Sequence, residues 1–171
     1  LERRKNHEVL YRALVRLSQQ GKPVPTLVFV GMQGWGVDDL MNDLKRDPRV
    51  RSKIVLLHHV KDDDLAALYR HASFTVFPSL YEGWGLPVAE SMAHGRFCLS
   101  SNTSSLPEVG GELVEYLDPW DVNAWAERMA YFVANPGEVA KRERAIVERF
   151  KPTPWDETAT TVLNAALALQ G

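Results

Sequence analysis

Apolar positions along the chain alternate between two rhythms. Leu10, Ala13, Leu14 and Leu17 recur at the spacing of one helix face, and the breaker run QGKPVP then gives way to TLVFVG at 26–31, which is apolar at nearly every position. The same alternation continues with a helix over 37–45, a strand at KIVLL, a helix over 62–72 with Leu65, Leu68 and Tyr69 inward, and a strand at FTVFP. A helix over 87–94, a strand at RFCLS, a short helical turn after Ser105, a strand at ELVEYL and a helix over 121–134 follow. Strands apolar throughout, separated by amphipathic helices, predict an α/β fold: a doubly wound parallel sheet with helices on both faces. A charged helix over 137–149, a break at KPTP and a last helix over 155–169 close the chain, with Ala159, Val162, Leu163 and Ala166 on one face of that last helix.

With 171 residues the chain has room for one well-buried domain. Its 20 basic and 22 acidic side chains nearly cancel to a net charge of −2, and no basic face with interleaved aromatics is present, so nucleic acid is excluded as the expected partner. The lone Cys98, in an apolar run, reads as a small core residue in a reducing compartment. No apolar run approaches the roughly 18 residues of a membrane span and no signal peptide opens the chain, so a cytoplasmic location without a transmembrane segment is expected. The chain starts at Leu1 and enters its first helix with no strand ahead of it, which reads as a piece of something longer with its first strand truncated.

In open parallel sheets, ligands lie beyond the carboxyl ends of the strands. That nominates the loops GMQGWG, HHVKDDD, SLYEGWGLP and SNTSSLPE. The third continues as LYEGWGLPVAE at 80–90, with a glutamate on either side of a glycine-rich turn. With Pro87 in the first helical turn and Leu86 as N-cap, no side-chain oxygen serves the helix's free N–H groups. Gly83 and Gly85 let backbone approach a ligand, so the amides of Trp84, Gly85 and Leu86 suit a phosphate at the positive helix end. Glu82 and Glu90 instead suit sugar hydroxyls, because a carboxylate accepts two hydrogen bonds from a vicinal diol. A sugar nucleotide carries both kinds of group. From the residues alone, the alternative is a first-turn acid at Glu90 and an exposed turn residue at Glu82.

The stretch PSLYEGWGLPVAESMAHG resembles the E-x7-E signature of retaining family 4 (group 1) glycosyltransferases of the GT-B fold. ERRKNHEVLYRAL, SNTSSLPEVGG and DPWDVNAWAERM are similar to three further motifs of that family in the same order. The resemblance implies the C-terminal, donor-binding half of such an enzyme: a Rossmann-like domain over 1–151 and a helix over 152–171 returning to an N-terminal domain. It implies that Glu90 holds the ribose, that Glu82 lies beside the donor sugar, and that the backbone of Gly83, Trp84, Gly85 and Leu86 contacts sugar and diphosphate. Lys5, with Arg4 beside it, would neutralise the leaving diphosphate; the nucleobase would lie near Val60, and Thr103 and Ser104 near the phosphates. The implied partners are a nucleotide-sugar donor, weakly GDP-mannose, the N-terminal domain, and a glycan or lipid-linked acceptor at the inner membrane face. No cofactor and no metal is expected. Two rivals remain open: a nucleotide-sugar epimerase of the same fold, and a non-catalytic nucleotide-sugar-binding module.

Three local patterns carry simpler expectations. Asp62, Asp63 and Asp64 read as a helix cap and acidic first turn, and adjacent His58 and His59 do not make a metal pair. Ser105 with Glu108 reads as a capping box, an alternative to the ligand-loop reading of SNTSSLPE.

Overall fold

The computed structural model describes residues 1–169. Helices and strands alternate as α1 (His7–Gln19), β1 (Leu27–Val30), α2 (Asp38–Arg46), β2 (Ile54–Leu57), α3 (Asp62–His71) and β3 (Thr75–Phe77). They continue as α4 (Leu86–Ala93), β4 (Cys98–Ser101), α5 (Leu106–Gly110), β5 (Glu115–Leu117), α6 (Val122–Ala134), α7 (Pro136–Arg149) and α8 (Trp155–Ala168). All strand pairs are parallel, as apolar strands joined by helices require.

The first helix begins later than its periodicity suggests. Arg3–Lys5 form a 3-10 turn, and Asn6 takes a left-handed conformation with φ 53° before α1 starts at His7. Asparagine tolerates that conformation better than most side chains. Here its amide also donates to the carbonyls of Pro78 and Pro119 at 3.2 and 2.8 Å, pinning the start of α1 to the ends of two strands.

The core lies between α1, α6 and the strands. Leu10, Leu14 and Leu17 of α1 and Trp125, Met129 and Phe132 of α6 are sealed from solvent, and Phe97 packs on Phe132 with ring centroids 4.7 Å apart. Leu99 and Cys98 in the fully buried β4 complete it. Burial pushes the Cys98 thiol up to about 12, so it stays protonated as the small core residue its context implied.

Two features depart from a single doubly wound sheet. The strands form two ladders, β1 with β2 and β3-β4-β5, with no pairing between β1 and β3. In addition, α3 has no buried residue: Leu65, Leu68 and Tyr69 are only half covered. Helix α8 is exposed along its whole length, including the apolar Val162 and Leu163.

His7 stands edge-on to Phe29 with centroids 5.0 Å apart, and its Nδ1 is buried without a partner. Burial, aided by the nearby amino terminus and Lys5, lowers its pKa to about 4. Between pH 6.5 and 4 the unfolded chain therefore binds a proton that the folded chain refuses, and stability falls as pH falls through that window. The expected contribution is on the order of 3 kcal/mol, complete near pH 4. Urea titrations of the parent and of His7→Leu across this window will show a steeper acid-side loss in the parent.

Candidate functional site

Three loops meet beyond the carboxyl ends of β3 and β4. At their centre is Glu82, which is only 8% exposed and so is not the surface turn residue that sequence alone allowed. Lys5 Nζ donates to its Oε1 at 2.7 Å, and Arg4 Nη1 lies 2.7 Å from its Oε2. The Ser79 hydroxyl donates to Oε1 at 2.5 Å. Burial opposes the charge of this carboxylate, but the hydrogen bonds from Lys5, Ser79 and Arg4 outweigh it and hold its pKa below the ordinary carboxylate value. One carboxylate thus faces two cations. Arg4 has a further partner in Glu2 at 3.4 Å, but that pair is exposed and weak.

The 3-10 turn delivers these cations. Arg4 Nη1 donates to the Tyr81 carbonyl at 2.6 Å, and the Arg4 carbonyl accepts from Leu80 N at 2.8 Å. Lys5 also lies over the Phe77 ring, 5.2 Å from its centroid. Asn6, whose role periodicity did not suggest, sets the direction of the turn. The only signal in the sequence was an asparagine placed where a helix starts.

After Glu82 the chain turns through Gly83 and Trp84 into α4. The helix is capped one residue earlier than its proline suggested: Gly85, at φ 113°, is the N-cap and Leu86 is the first helical residue. The inference of an uncapped helix start is unchanged, since glycine has no side-chain oxygen. Among the described residues, the N–H groups of Gly83, Trp84, Gly85 and Leu86 donate to nothing in the chain. The two glycines play different parts. A Cβ at Gly85 would lie 2.8 Å from Leu106 and would require a strained φ, whereas one at Gly83 would meet open space. Trp84 is 55% exposed beside that space.

The SNTSSLPE loop supports this turn from behind. Ser104, left-handed at φ 55°, donates from its hydroxyl to the Glu82 carbonyl at 2.5 Å, and Thr103 Oγ1 donates to the Ser79 carbonyl at 2.9 Å. Ser105 does not form the expected capping box. Its hydroxyl makes no cap bond and instead serves the carbonyls of Glu82 and Trp84 at 3.1 and 2.7 Å. Donating to these carbonyls turns the hydroxyl toward the loop, and its oxygen accepts no hydrogen bond from the helix N–H groups.

Glu90 lies one turn into α4, half buried, and accepts from the Tyr69 hydroxyl at 3.0 Å. Tyr69 stacks on His94 at 5.2 Å, and burial together with the Glu90 charge raises its pKa, so it remains a donor. Sequence reasoning placed Tyr69 in the core and did not connect it with Glu90. Val60, just past β2, makes no hydrogen bond with the other site residues among those described. Asp62, Asp63 and Asp64 form an acidic first turn, but Lys61 is the N-cap and no side chain caps it. No group of three His, Cys, Asp or Glu side chains able to hold a metal occurs among the described residues.

The arrangement joins a surplus cation, a run of free amides at a helix start and a fixed carboxylate on α4. It can take an anion at the turn and hydrogen-bond hydroxyls at Glu90.

The chain is similar to several known proteins. The model of the family described as Glycosyl transferases group 1 matches residues 1–150. The chain is 34% identical to the O-antigen chain mannosyltransferase B of Escherichia coli over 168 residues, which cover 96% of this chain and 43% of that relative. Among solved structures, sucrose-phosphate synthase from Thermosynechococcus elongatus superposes with a TM-score of 0.78 at 24% identity, covering 99% of this chain and 44% of that one. The C-terminal domain of a glycosyl transferase group 1 family protein from Francisella tularensis superposes with a TM-score of 0.71 at 19% identity, covering 90% and 83%.

The ion pairs make a direct energetic claim. Replacing Lys5 by Ala leaves a buried carboxylate short of a partner and is expected to cost about 1–2 kcal/mol, discounted for the partial exposure of the lysine. A double-mutant cycle of Lys5→Ala with Glu82→Ala in urea is expected to return a coupling of about 1 kcal/mol. A coupling near zero would mean that the two charges are independent.

Proposed function

The chain belongs to the group 1 glycosyl transferases, and on that premise we propose that it is the donor-binding domain of a retaining, metal-independent glycosyltransferase that uses a nucleoside-diphosphate sugar. The observation that carries this reading is the neighbourhood of Glu82: two cations on one carboxylate, next to four free amides at a helix start. The amides of Gly83 to Leu86 receive the diphosphate. Lys5 and Arg4 stabilise the negative charge that develops on it as the bond to the sugar breaks. Glu82 fixes these cations and accepts from a sugar hydroxyl, while Glu90, oriented by Tyr69, accepts from the ribose. Trp84 covers the donor sugar, Thr103 and Ser104 hold the turn against the phosphates, and Val60 borders the base.

The transferred sugar is mannose and the donor GDP-mannose, a reading supported by the mannosyltransferase name of the Escherichia coli relative. The acceptor is a hydroxyl of a growing glycan or lipid-linked chain, used in polysaccharide synthesis. A second domain supplies the acceptor site. Supporting this division, the chain spans 43% of that relative, and the apolar side chains Val162, Leu163 and Leu167 of α8 are exposed. No helix among the described residues is long and apolar enough to cross a membrane.

Calorimetric titration with GDP, UDP, dTDP, ADP and CMP in the absence of metal tests the reading. GDP is expected to bind in preference to the others, and Glu90→Ala to weaken it at least about tenfold, the value of one charged hydrogen bond. Tyr69→Phe is expected to weaken it about threefold by freeing the carboxylate. Binding that is equal for all five, or unchanged in Glu90→Ala, contradicts the assignment. Transferase activity retained by the parent enzyme after Glu82→Ala would favour a non-catalytic module instead.

A further inference from the structure

Three of the five tryptophans stand in loops at one end of the molecule, each shortly past the carboxyl end of a strand: Trp35 after β1, Trp84 after β3 and Trp120 after β5. Trp35 and Trp120 are 75% and 72% exposed, and Tyr81, in the same loop as Trp84, is 64% exposed. Trp125, by contrast, is sealed in the core. Rings this large are normally well covered, and several exposed together mark a surface that meets a partner.

Residues 1–6 gather these loops in order. The Leu1 carbonyl accepts from Gly34 N at 2.7 Å, and a Cβ at Gly34 would lie 2.8 Å from Glu2 Cγ, so the loop after β1 rests on residues 1 and 2. Arg4 holds the loop after β3 through the Tyr81 carbonyl at 2.6 Å, and Asn6 holds the one after β5 through the Pro119 carbonyl at 2.8 Å. Trp35, Tyr81 and Trp120 are each at or next to one of these anchored residues. The anchors lie within about 18 Å of one another, the reach of five residues at full extension, and closer through the 3-10 turn. Glu82 follows Tyr81, so the middle of the row adjoins the site described above.

Carboxylates stand among the rings. Asp118 is exposed and spends one oxygen on Trp120 N at 2.8 Å, and Asp38 spends one on the Gln33 amide at 2.8 Å. The second oxygen of each has no partner among the described residues. An aromatic face is electron-rich and attracts the C–H face of a pyranose ring, while a carboxylate oxygen accepts from its hydroxyls. Contacts between proteins keep charged groups out of their centre, and a lipid surface asks for a broad aliphatic face. In these loops Met32 and Leu86 alone add exposed aliphatic side chains. Rings interspersed with carboxylates suit a chain of sugars.

We propose that Trp35, Tyr81 and Trp120 form a platform for the acceptor glycan, stacking on mannose units beyond the one that receives the new sugar. This assignment rests on the mannosyl-transfer reading above. The reacting end of the acceptor stays with the second domain; the platform holds units farther along the same chain. Several rings in a row engage several sugars at once, so a chain of mannoses binds better than one.

Two-dimensional 15N NMR of the indole N–H groups tests it, during titration with α-linked mannotetraose and with mannose at the same concentration of sugar units. The tetraose is expected to shift Trp35 and Trp120 along one binding curve and to leave Trp125 unmoved, with mannose at least about fivefold weaker. Trp35→Ala and Trp120→Ala are each expected to weaken the tetraose about fivefold, and Trp35→Phe and Trp120→Phe to keep most of its affinity, with the Trp125 signal reporting an intact core. Indoles of Trp35 and Trp120 that ignore the tetraose, shifts confined to Trp84, mannose binding as well as the tetraose, or signals that follow protein concentration instead, which would mark a second copy as the occupant, each overturns the platform. GDP titrated into the same samples separates this result from the donor reading, and its affinity is expected to be equal in the parent, Trp35→Ala and Trp120→Ala. GDP binding without tetraose binding contradicts the platform alone, and tetraose binding without GDP binding contradicts the donor reading alone.

Discussion

A carboxylate on a residue only 8% exposed must be compensated, and the compensation of Glu82 organises this end of the molecule. Its partners come from both directions: Ser79 from the same loop, and Lys5 and Arg4 from the first turn of the chain. Satisfying one charge therefore ties residues 4–5 to residues 79–82, segments far apart in sequence. The Arg4 carbonyl to Leu80 and Asn6 to Pro78 reinforce the same tie through neutral groups. Because two cations meet one anion, the tie leaves positive charge to spare beside the helix start at Gly85.

The rest of the loop cluster keeps that helix start open. Gly85 supplies a conformation that denies the helix a side-chain cap, and its lack of a Cβ lets Leu106 close in behind it. Ser104 and Ser105 spend their hydroxyls on the carbonyls of Glu82 and Trp84, so the turn is held by its acceptors while its donors stay free. An anion-binding backbone needs this asymmetry: rigid on the side away from the ligand and unsatisfied on the side facing it.

The order of helices and strands was legible because burial on both faces makes strands uniformly apolar and helices amphipathic, and those periods survive in a single sequence. The E-x7-E stretch was legible as a turn between two carboxylates because glycines and a proline mark its geometry locally. What periodicity could not carry were contacts between distant segments. Burial of Glu82 depends on residues nearly eighty positions away, and the link from Tyr69 to Glu90 depends on how α3 packs against α4. The Ser105 capping box failed for the same reason, since a local motif lost its hydroxyl to a nonlocal carbonyl. The division into two ladders also escaped the sequence, because strand strength says nothing about which edges meet.

The central claim is that the free amides from Gly83 to Leu86, beside Lys5 and Arg4, form a diphosphate site. Two-dimensional 15N NMR during titration with inorganic pyrophosphate tests it without a base, sugar or acceptor. The account predicts the largest shifts at Gly83, Trp84, Gly85 and Leu86, strongly reduced in Lys5→Ala. Shifts centred elsewhere, or a response at the four amides that is indifferent to Lys5, would contradict it.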